Sequence, residues 1–411
     1  MRTHPLRRQV ISEVHARPFQ KLYSPLTLIH IAVVIDEQTR LGAVQREVVN
    51  IAHAMGLFDA PLASFFFCRN DVCALRFEAH NEFYTLTAYR FGSTELPSGF
   101  QTRIADLQGA FLCGCELICA SDVEDVDSWV RSQFDHQIVG SEVMGGYAKV
   151  WTDFHHRNDS GLTRILVQDI SLASYQRGRL LQRLCEIEVY RHVALLALPE
   201  ALRAMPRTTH LDQTLARVSA RLATEPPAEL LDELTSLAAS VEALAAGTAN
   251  RFAATEAYFS LLDKRIEELR ETRIEGLQTI EQFMERRADP ARLTCLSAGS
   301  RIEKLSKRIA RTSQMIRSQV DLSTEQQMRD LLRTLSTRAR SQLRLQAKLE
   351  SFTVIVVTYY AFDLIERSLR NTIPVERMLD LALYILSGAV PLIALVLWLY
   401  IRRMLRGIED E

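Results

Sequence analysis

The C-terminal region contains the uncharged stretch Leu381-Ala-Leu-Tyr-Ile-Leu-Ser-Gly-Ala-Val-Pro-Leu-Ile-Ala-Leu-Val-Leu-Trp-Leu-Tyr-Ile401. As a helix that rises ~1.5 Å per residue, it would cross the ~30 Å hydrocarbon core of a bilayer. A shorter apolar segment, Phe352–Phe362, precedes it and ends at Asp363. The two segments predict a C-terminal two-helix transmembrane hairpin over residues 352–401, followed by a basic and then acidic tail over residues 402–411. An alternative is that Phe352–Phe362 lies at the membrane interface as an amphipathic helix, because Asp363 is costly inside lipid.

The basic residues around this hairpin predict its orientation. More lysine and arginine on the outer flanks favours a cytoplasmic location for both the N-terminal domain and the C-terminus. The outer-flank residues are Arg338, Arg340, Arg344, Lys348, Arg402, Arg403 and Arg406.

The composition excludes one class of partner and indicates a reducing compartment. The formal net charge is -1, and no basic run is interleaved with aromatic residues, so we expect no nucleic-acid partner. The basic start, Met1–Phe19, is followed by no apolar stretch, so we expect no secretory signal. The 7 cysteines are an odd number, as expected for unpaired thiols in the cytoplasm.

Residues 1–170 predict a mixed α/β domain in which helices cover a sheet of about seven strands. Leu26–Ile35 is a near-continuous apolar run, typical of a strand that is buried on both faces. Arg40–Met55 has helical spacing and stops before Gly56. The other predicted strands are Ala63–Cys68, Cys73–Glu78, Phe83–Phe91, Ala110–Ala120, Tyr147–Phe154 and Leu162–Gln168, and the other predicted helices are Thr102–Leu107 and Val123–Phe134.

Residues 171–351 predict a region of long helices, which we call the stalk region. Ser171–Arg203 and Ala228–Glu285 have helical spacing, with breaks predicted at Pro226-Pro227 and Asp289-Pro290. Helices of this length exceed what a compact domain uses. We therefore expect the stalk region to be one strand of a coiled homo-oligomeric assembly, although its apolar spacing is too irregular for strict heptads.

The helix predicted at Gly178–Arg191 carries the densest polar cluster of the chain. Arg179, Arg183, Glu186 and Tyr190 share one of its faces. We favour a ladder of ion pairs that fixes this helix to its neighbours; the alternative is an acid/base or anion site of an enzyme acting near the membrane. No phosphate-loop, nucleophile-elbow or zinc-protease motif is present, so we predict neither an enzyme nor a cofactor.

Two groups of metal-ligand residue types do not predict a metal site. The turn after Asp153 contains His155 and His156, but adjacent histidines on a strand point to opposite faces. Cys113 and Cys115 share one face of a strand among apolar neighbours, so we expect them to be core residues.

Tyr359, Asp363 and Glu366 form a polar stripe at helical spacing in the first apolar segment. In a membrane-spanning oligomer this stripe would line the central axis, so these residues are candidates for an ion-conducting pore. The alternative is local neutralisation, in which Asp363 pairs with Arg367 and Glu366 with Arg370, each four residues further along the helix.

Several short motifs are spread over the chain: His4-Pro-Leu-Arg7, Glu13-Val-His-Ala-Arg-Pro18, Thr152-Asp-Phe154, Gly161-Leu-Thr-Arg164, Gln182-Arg-Leu-Cys-Glu-Ile-Glu-Val-Tyr-Arg191 and Tyr359-Tyr360. They resemble a family of uncharacterised bacterial membrane-anchored proteins, known only as a domain of unknown function. The resemblance implies anchoring in a bacterial membrane, which for the predicted cytoplasmic ends is the inner membrane, and it brings no activity. Its motifs contain the candidate site residues His15, Arg17, Asp153, Arg164, Arg183, Glu186, Glu188, Tyr190 and Arg191.

More remotely, the predicted layout is similar to the CorA class of divalent-cation channels. That class has a cytoplasmic α/β domain, a long stalk helix and two membrane helices. This chain has Arg370-Asn-Thr372 where CorA proteins carry Gly-Met-Asn, so Mg²⁺ transport is not implied. The leading hypothesis is an oligomeric membrane protein of CorA-like architecture that conducts a cation. The alternative is a membrane-anchored scaffold or sensor whose cytoplasmic domain binds a protein partner, without transport.

Overall fold

A computed structural model describes residues 19–372 except 37–38, 93–103, 105–106, 158–159 and 223, together with His4, Arg7 and separate residues between Asp380 and Leu399. The chain divides into two compact units, Met1–Gln314 and Met315–Glu411. Each unit is described by itself below.

The first unit is built on one mixed sheet. The strands of its described residues are β1 (Leu26–Val34), β2 (Phe65–Arg69), β3 (Cys73–Ala79), β4 (Phe83–Phe91), β5 (Ala110–Ala120), β6 (Val139–Val143), β7 (Ala148–His156), β8 (Thr163–Asp169) and β9 (Thr272–Arg273). They follow the order β2-β3-β4-β1-β5-β8-β7-β6-β9. Neighbouring strands are antiparallel, except that β5 and β8 run parallel.

Helices cover the two faces of this sheet. The helices of the described residues are α1 (Leu41–Ala54), α2 (Val126–Arg131), α3 (Ser174–Leu195), α4 (Leu198–Arg221), α5 (Pro227–Glu267), α6 (Ile280–Arg287) and α7 (Asp289–Thr372), of which α7 begins in the first unit and ends in the second. A strand between two helix layers is buried on both sides and needs apolar residues at successive positions. In β1, Ile29 and Ile31 pack with Val48 of α1, whereas Leu28 packs in the cluster that contains Leu184 of α3. The prediction of a doubly buried strand here is therefore confirmed.

The N-terminal half of α3 passes very close to the backbone of Gln20. A Cβ atom added at Gly178 would overlap with the backbone carbonyl of Gln20, so only glycine fits this position.

Gly178→Ala is therefore expected to lower the free energy of unfolding by about 1–3 kcal/mol, because the backbone must shift to admit the methyl group. Gly247→Ala is the matched control, since Gly247 is also helical and has nothing within 4 Å of an added Cβ. The control should be stabilised by about 0.5–1 kcal/mol. Urea denaturation of both variants measures the difference, and equal effects would contradict the close approach.

Sequence analysis placed the end of a long helix too late in the chain. Ala228–Glu285 was expected to be helical, but α5 ends at Glu267 and the chain then adds β9 to the edge of the sheet beside β6. Helices commonly end with a glycine in the left-handed region. Here Arg270 takes that conformation with φ 52°, so the usual sequence signal is absent. The predicted break at Asp289-Pro290 is confirmed, because α6 ends at Arg287 and α7 starts at Asp289.

The expected transmembrane hairpin is corrected by the structure. Among the described residues, no helix combines the length and the apolarity that a membrane crossing requires. Phe352–Phe362 is a short part of α7 between Glu350 and Asp363, and at ~1.5 Å per residue it reaches only about 16 Å. Leu381–Ile401 lies partly outside the described residues.

This finding overturns the predictions of a two-helix transmembrane hairpin, of a membrane-anchored CorA-like architecture and of an inner-membrane location. The predicted helix Thr102–Leu107 and the tail 402–411 lie largely or wholly outside the described residues.

Candidate functional site

The helix α3 carries most of the polar residues that the sequence singled out. It lies between the sheet and α5, and its Leu180 and Leu184 share an apolar cluster with Ile165 of β8 and with Phe259 and Leu262 of α5. Apart from the exposed Arg179, the charged residues on α3 are therefore partly or wholly removed from water and need partners inside the protein.

Glu188 is the most deeply buried of these charges, with no exposed surface. Arg191 Nε donates to its Oε2 at 2.7 Å and Arg191 Nη2 to its Oε1 at 2.8 Å. The Thr163 hydroxyl of β8 donates to Oε1 at 2.8 Å. Burial alone would raise the pKa of Glu188, but the charge and hydrogen bonds of Arg191, with His192 and Thr163, outweigh it and lower the pKa. Glu188 is therefore an ionised carboxylate held by α3 and β8.

A second group of charges on α3 faces α5. Arg183 Nε lies 2.9 Å from Glu268 Oε2, Glu186 pairs with Arg265, and Arg265 Nη1 lies 3.0 Å from the same Glu268 carboxylate. This is the ladder of ion pairs that the structural hypothesis predicted for the helix. Arg179 is not part of it, since its guanidinium lies over the ring of Phe19.

A small cavity separates α3 from β1, β3 and β4. Its volume of about 30 Å³ holds about one or two water molecules, too little for an organic substrate. Arg76 donates to Glu78 at 2.8 Å and to Gln182 of α3 at 2.6 Å, and Tyr190 completes the wall. His30 also lines the cavity; within the described residues its Nε2 has no hydrogen-bond partner. Burial, then the charges of Arg76 and His80, lowers the pKa of His30 to about 3.

The adjacent histidines of β7 belong to two different groups of metal-ligand residue types. His155 lies with His136 and Asp153, and its ring stacks on that of His136 with centroids 3.9 Å apart. His156 lies with Glu188 and His192 of α3. The register of β7 shifts between Thr152 and His156, and Phe154 there has φ 54°. This irregularity lies at the strand end that carries both histidines.

His156 and His192 bring their rings close together. Their Nε2 atoms are 3.2 Å apart. Burial, then the charge of Arg191, lowers the pKa of His192. Sequence reasoning missed this pair, because the two residues are 36 positions apart and His192 follows the last motif residue, Arg191.

The remaining motif residues do not gather around one centre. Arg164 binds Glu116 and Gln133, away from the Arg183–Glu186 ladder. Asp153 accepts the backbone N–H of His155. His15 and Arg17 lie outside the described residues.

Sequence reasoning also missed a buried ion pair. Asp169 at the end of β8 pairs with Arg177 of α3, and Arg177 also donates to the carbonyl oxygens of Leu22 and Leu172. Eight residues separate the two charges along the chain, a spacing that no helical rule picks out.

The pore-stripe candidates lie on α7 in the second unit. Tyr359 is 68 % exposed, and Asp363 pairs with Arg367 at 3.0 Å. The Asp363 contact is the local neutralisation that the alternative hypothesis predicted. Glu366 lies on the same helix, while the side chain of Arg370 is outside the described part.

The same helix carries an exposed row of large apolar side chains, which we call the heptad stripe. Its members follow the three- and four-residue spacing of one helix face, and each is between 52 % and 68 % exposed. They are Met328, Leu331, Leu335, Leu345, Leu349, Phe352 and Tyr359. Between residues 321 and 350 every described side chain is exposed.

Comparison with known proteins supports one relationship. No curated protein and no solved structure matches the chain. A similarity to the CorA class is accordingly not shown. The model of the family described as protein of unknown function DUF3422 matches residues 2–408, nearly the whole length, as the spread of the six motifs predicted. The chain therefore belongs to the DUF3422 family.

Proposed function

We propose that the protein is a self-associating scaffold in which the heptad stripe of α7 joins copies of the chain. The observation that supports this is the exposure of seven large apolar side chains along one helix face. Monomeric proteins rarely expose contiguous apolar surface on this scale. The ion-conducting hypothesis required a membrane-spanning hairpin, so we do not propose it.

The spacing of the stripe favours a second copy of the same helix as the partner. Met328, Leu331 and Leu335 are three and four residues apart, and Leu345 continues the same phase ten residues later. The two intervening core positions are Arg338 and Gln342. A helix whose core positions follow the seven-residue repeat packs best against another helix with the same repeat. Isolated polar residues at core positions, such as these two, determine how the helices align and how many of them associate.

The expected gain exceeds the cost of association. Fully burying a large apolar side chain is worth ~1.5–3 kcal/mol, and these side chains are already partly covered, so the seven from each of two chains contribute roughly 12–25 kcal/mol. Association costs ~4–15 kcal/mol before any affinity appears. The stripe is therefore sufficient for a stable dimer without help from other surfaces.

The test replaces leucines on and off the stripe. In Leu345→Ser with Leu349→Ser, a dimer loses four leucines from its core. Losing even ~3 kcal/mol of their burial energy weakens association by about a hundredfold. Sedimentation velocity over a range of concentrations measures this shift.

The matched control is Leu322→Ser with Leu343→Ser. These leucines are 59 % and 63 % exposed on the same helix but lie off the stripe, and the loss of helix propensity is the same. The control should associate like the unchanged protein. Equal weakening in both double variants would contradict the assigned face.

A further inference from the structure

Two imidazole rings meet where the hairpin of β7 and β8 approaches α3. His156 is the last residue of β7 and is exposed, while His192 lies in the last turn of α3 and is half-buried. Their Nε2 atoms face one another at 3.2 Å. The site lies in the first unit and does not depend on the proposed self-association.

The hydrogen bonds of the two Nδ1 atoms determine whether each Nε2 atom holds a hydrogen or a lone pair. His192 Nδ1 lies 2.8 Å from the backbone carbonyl oxygen of Glu188, and His156 Nδ1 lies 3.2 Å from that of Gly161. A carbonyl oxygen only accepts, so each Nδ1 must hold the hydrogen and donate it. In a neutral imidazole the second nitrogen then has a lone pair. Two nitrogen lone pairs therefore lie 3.2 Å apart, which is repulsive unless the two nitrogens share a cation.

We propose that His156 and His192 bind one divalent transition-metal ion of the zinc type through their Nε2 atoms. Zinc–imidazole bonds of ~2.0–2.1 Å at a tetrahedral angle place the two nitrogens roughly 3.3 Å apart. The observed 3.2 Å matches this separation. A backbone carbonyl that accepts from the non-ligating nitrogen is also the usual support of a metal-binding histidine.

Glu188 is not a third ligand, and its negative charge is offset by its ion pair with Arg191. Its two carboxylate oxygens already accept from Arg191 and Thr163. The ion would keep water at its remaining positions, since His156 is exposed to solvent. Ligation by imidazole and water suits zinc, copper, nickel and cobalt better than magnesium or calcium, which prefer oxygen ligands.

The second histidine pair has a different geometry. The rings of His136 and His155 are stacked at 3.9 Å with an interplanar angle of 11°. Lone pairs lie in the plane of an imidazole ring, so two parallel stacked rings do not aim theirs at one point. His155 therefore provides a control beside His156 on the same strand.

The test is a calorimetric titration of the full chain with Zn²⁺, using protein without a histidine tag and freed of metal by a chelator. The unchanged protein and His155→Ala should bind one Zn²⁺ per chain with equal affinity. His156→Ala and His192→Ala should each bind at least about tenfold more weakly, because each removes one of two protein ligands. Co²⁺ in place of Zn²⁺ should show the visible absorption of a nitrogen-ligated ion in the first two proteins only.

His156→Ala decides the question, because His156 is exposed and its loss should leave the melting temperature nearly unchanged. Unweakened binding in this variant would overturn the proposal. Equal loss in His155→Ala would also overturn it and place the ion elsewhere. An unchanged protein that binds no Zn²⁺ would mean that a proton, rather than a metal ion, bridges the two rings.

Discussion

Replacing Glu188 with alanine is expected to lower the free energy of unfolding by about 3–5 kcal/mol, the usual loss when one partner of a buried ion pair is removed. The carboxylate is fully buried, and its removal leaves the Arg191 guanidinium and the Thr163 hydroxyl without their acceptor. Urea denaturation followed by tryptophan fluorescence measures the loss, since Trp129 and Trp151 both lie in the first unit.

Glu325→Ala is the control for this variant. Glu325 pairs with Arg329 at 2.6 Å, as short as the Glu188 contacts, but both side chains are more than half exposed. An exposed pair contributes only ~0–1 kcal/mol. If Glu188→Ala destabilised the protein no more than Glu325→Ala does, the burial of Glu188 would not explain a contribution to stability, and the prediction would be wrong.

The same carboxylate also gives stability a pH dependence. Its pKa in the folded protein lies below the ordinary value of 4.5, so the unfolded state takes up a proton first as the pH falls. Its contribution is present above pH 4.5 and is lost as the pH falls through the folded-state pKa. In Glu188→Gln this part of the acid destabilisation should be missing.

Asp169→Ala is expected to have an effect of similar size, about 3–5 kcal/mol. Asp169 is 3 % exposed and Arg177 9 %. The variant leaves the buried guanidinium without its counter-charge and the backbone N–H of Leu172 without its acceptor. Thermal denaturation should show a large drop in melting temperature.

A double-mutant cycle with Arg177→Met separates the ion pair from its surroundings. The double variant has no buried unpaired charge, but the carbonyls of Leu22 and Leu172 lose their donor. It should therefore be less destabilised than the sum of the two single variants, by about 0.5–3 kcal/mol. Additive losses would show that Asp169 and Arg177 do not stabilise one another.

The sequence predicted those parts of the fold that depend on local patterns. Phe83–Phe91 and Ala110–Ala120 are strands with the expected bounds. The strand Val139–Val143 was not predicted because it is short and contains Gly140 and polar residues. The two-residue β9 was not predicted because it is defined only by its pairing with β6. Such edge pairing depends on the tertiary structure, which no local window contains.

The prediction that Phe352–Phe362 crosses a membrane failed because an apolar run must also be long and uninterrupted by charges. Phe352–Phe362 is apolar, yet it belongs to a helix with Glu350 on one side and Asp363 on the other. The apolar residues of this helix outside the stripe, such as Leu332 and Leu343, also obscured its heptads. These residues are as exposed as the stripe, so only the seven-residue spacing separates the stripe from its neighbours.

Of the candidate site, only the residues on α3 were predictable from the sequence. The cluster at Gln182–Arg191 indicated charged residues on a buried helix, and that helix carries them. Their partners Arg265, Glu268 and His156 lie far away along the chain, so no spacing rule connects them. Contacts of this kind follow from the topology of the sheet.

The most direct test of the proposed self-association is the mass of the full chain, measured by sedimentation equilibrium over a wide range of concentrations. One chain has a mass of 46.7 kDa. We expect a particle of two or more chains, which dissociates on dilution and does so at much higher concentration in the Leu345→Ser, Leu349→Ser variant. A mass of 46.7 kDa at every concentration would contradict the scaffold proposal.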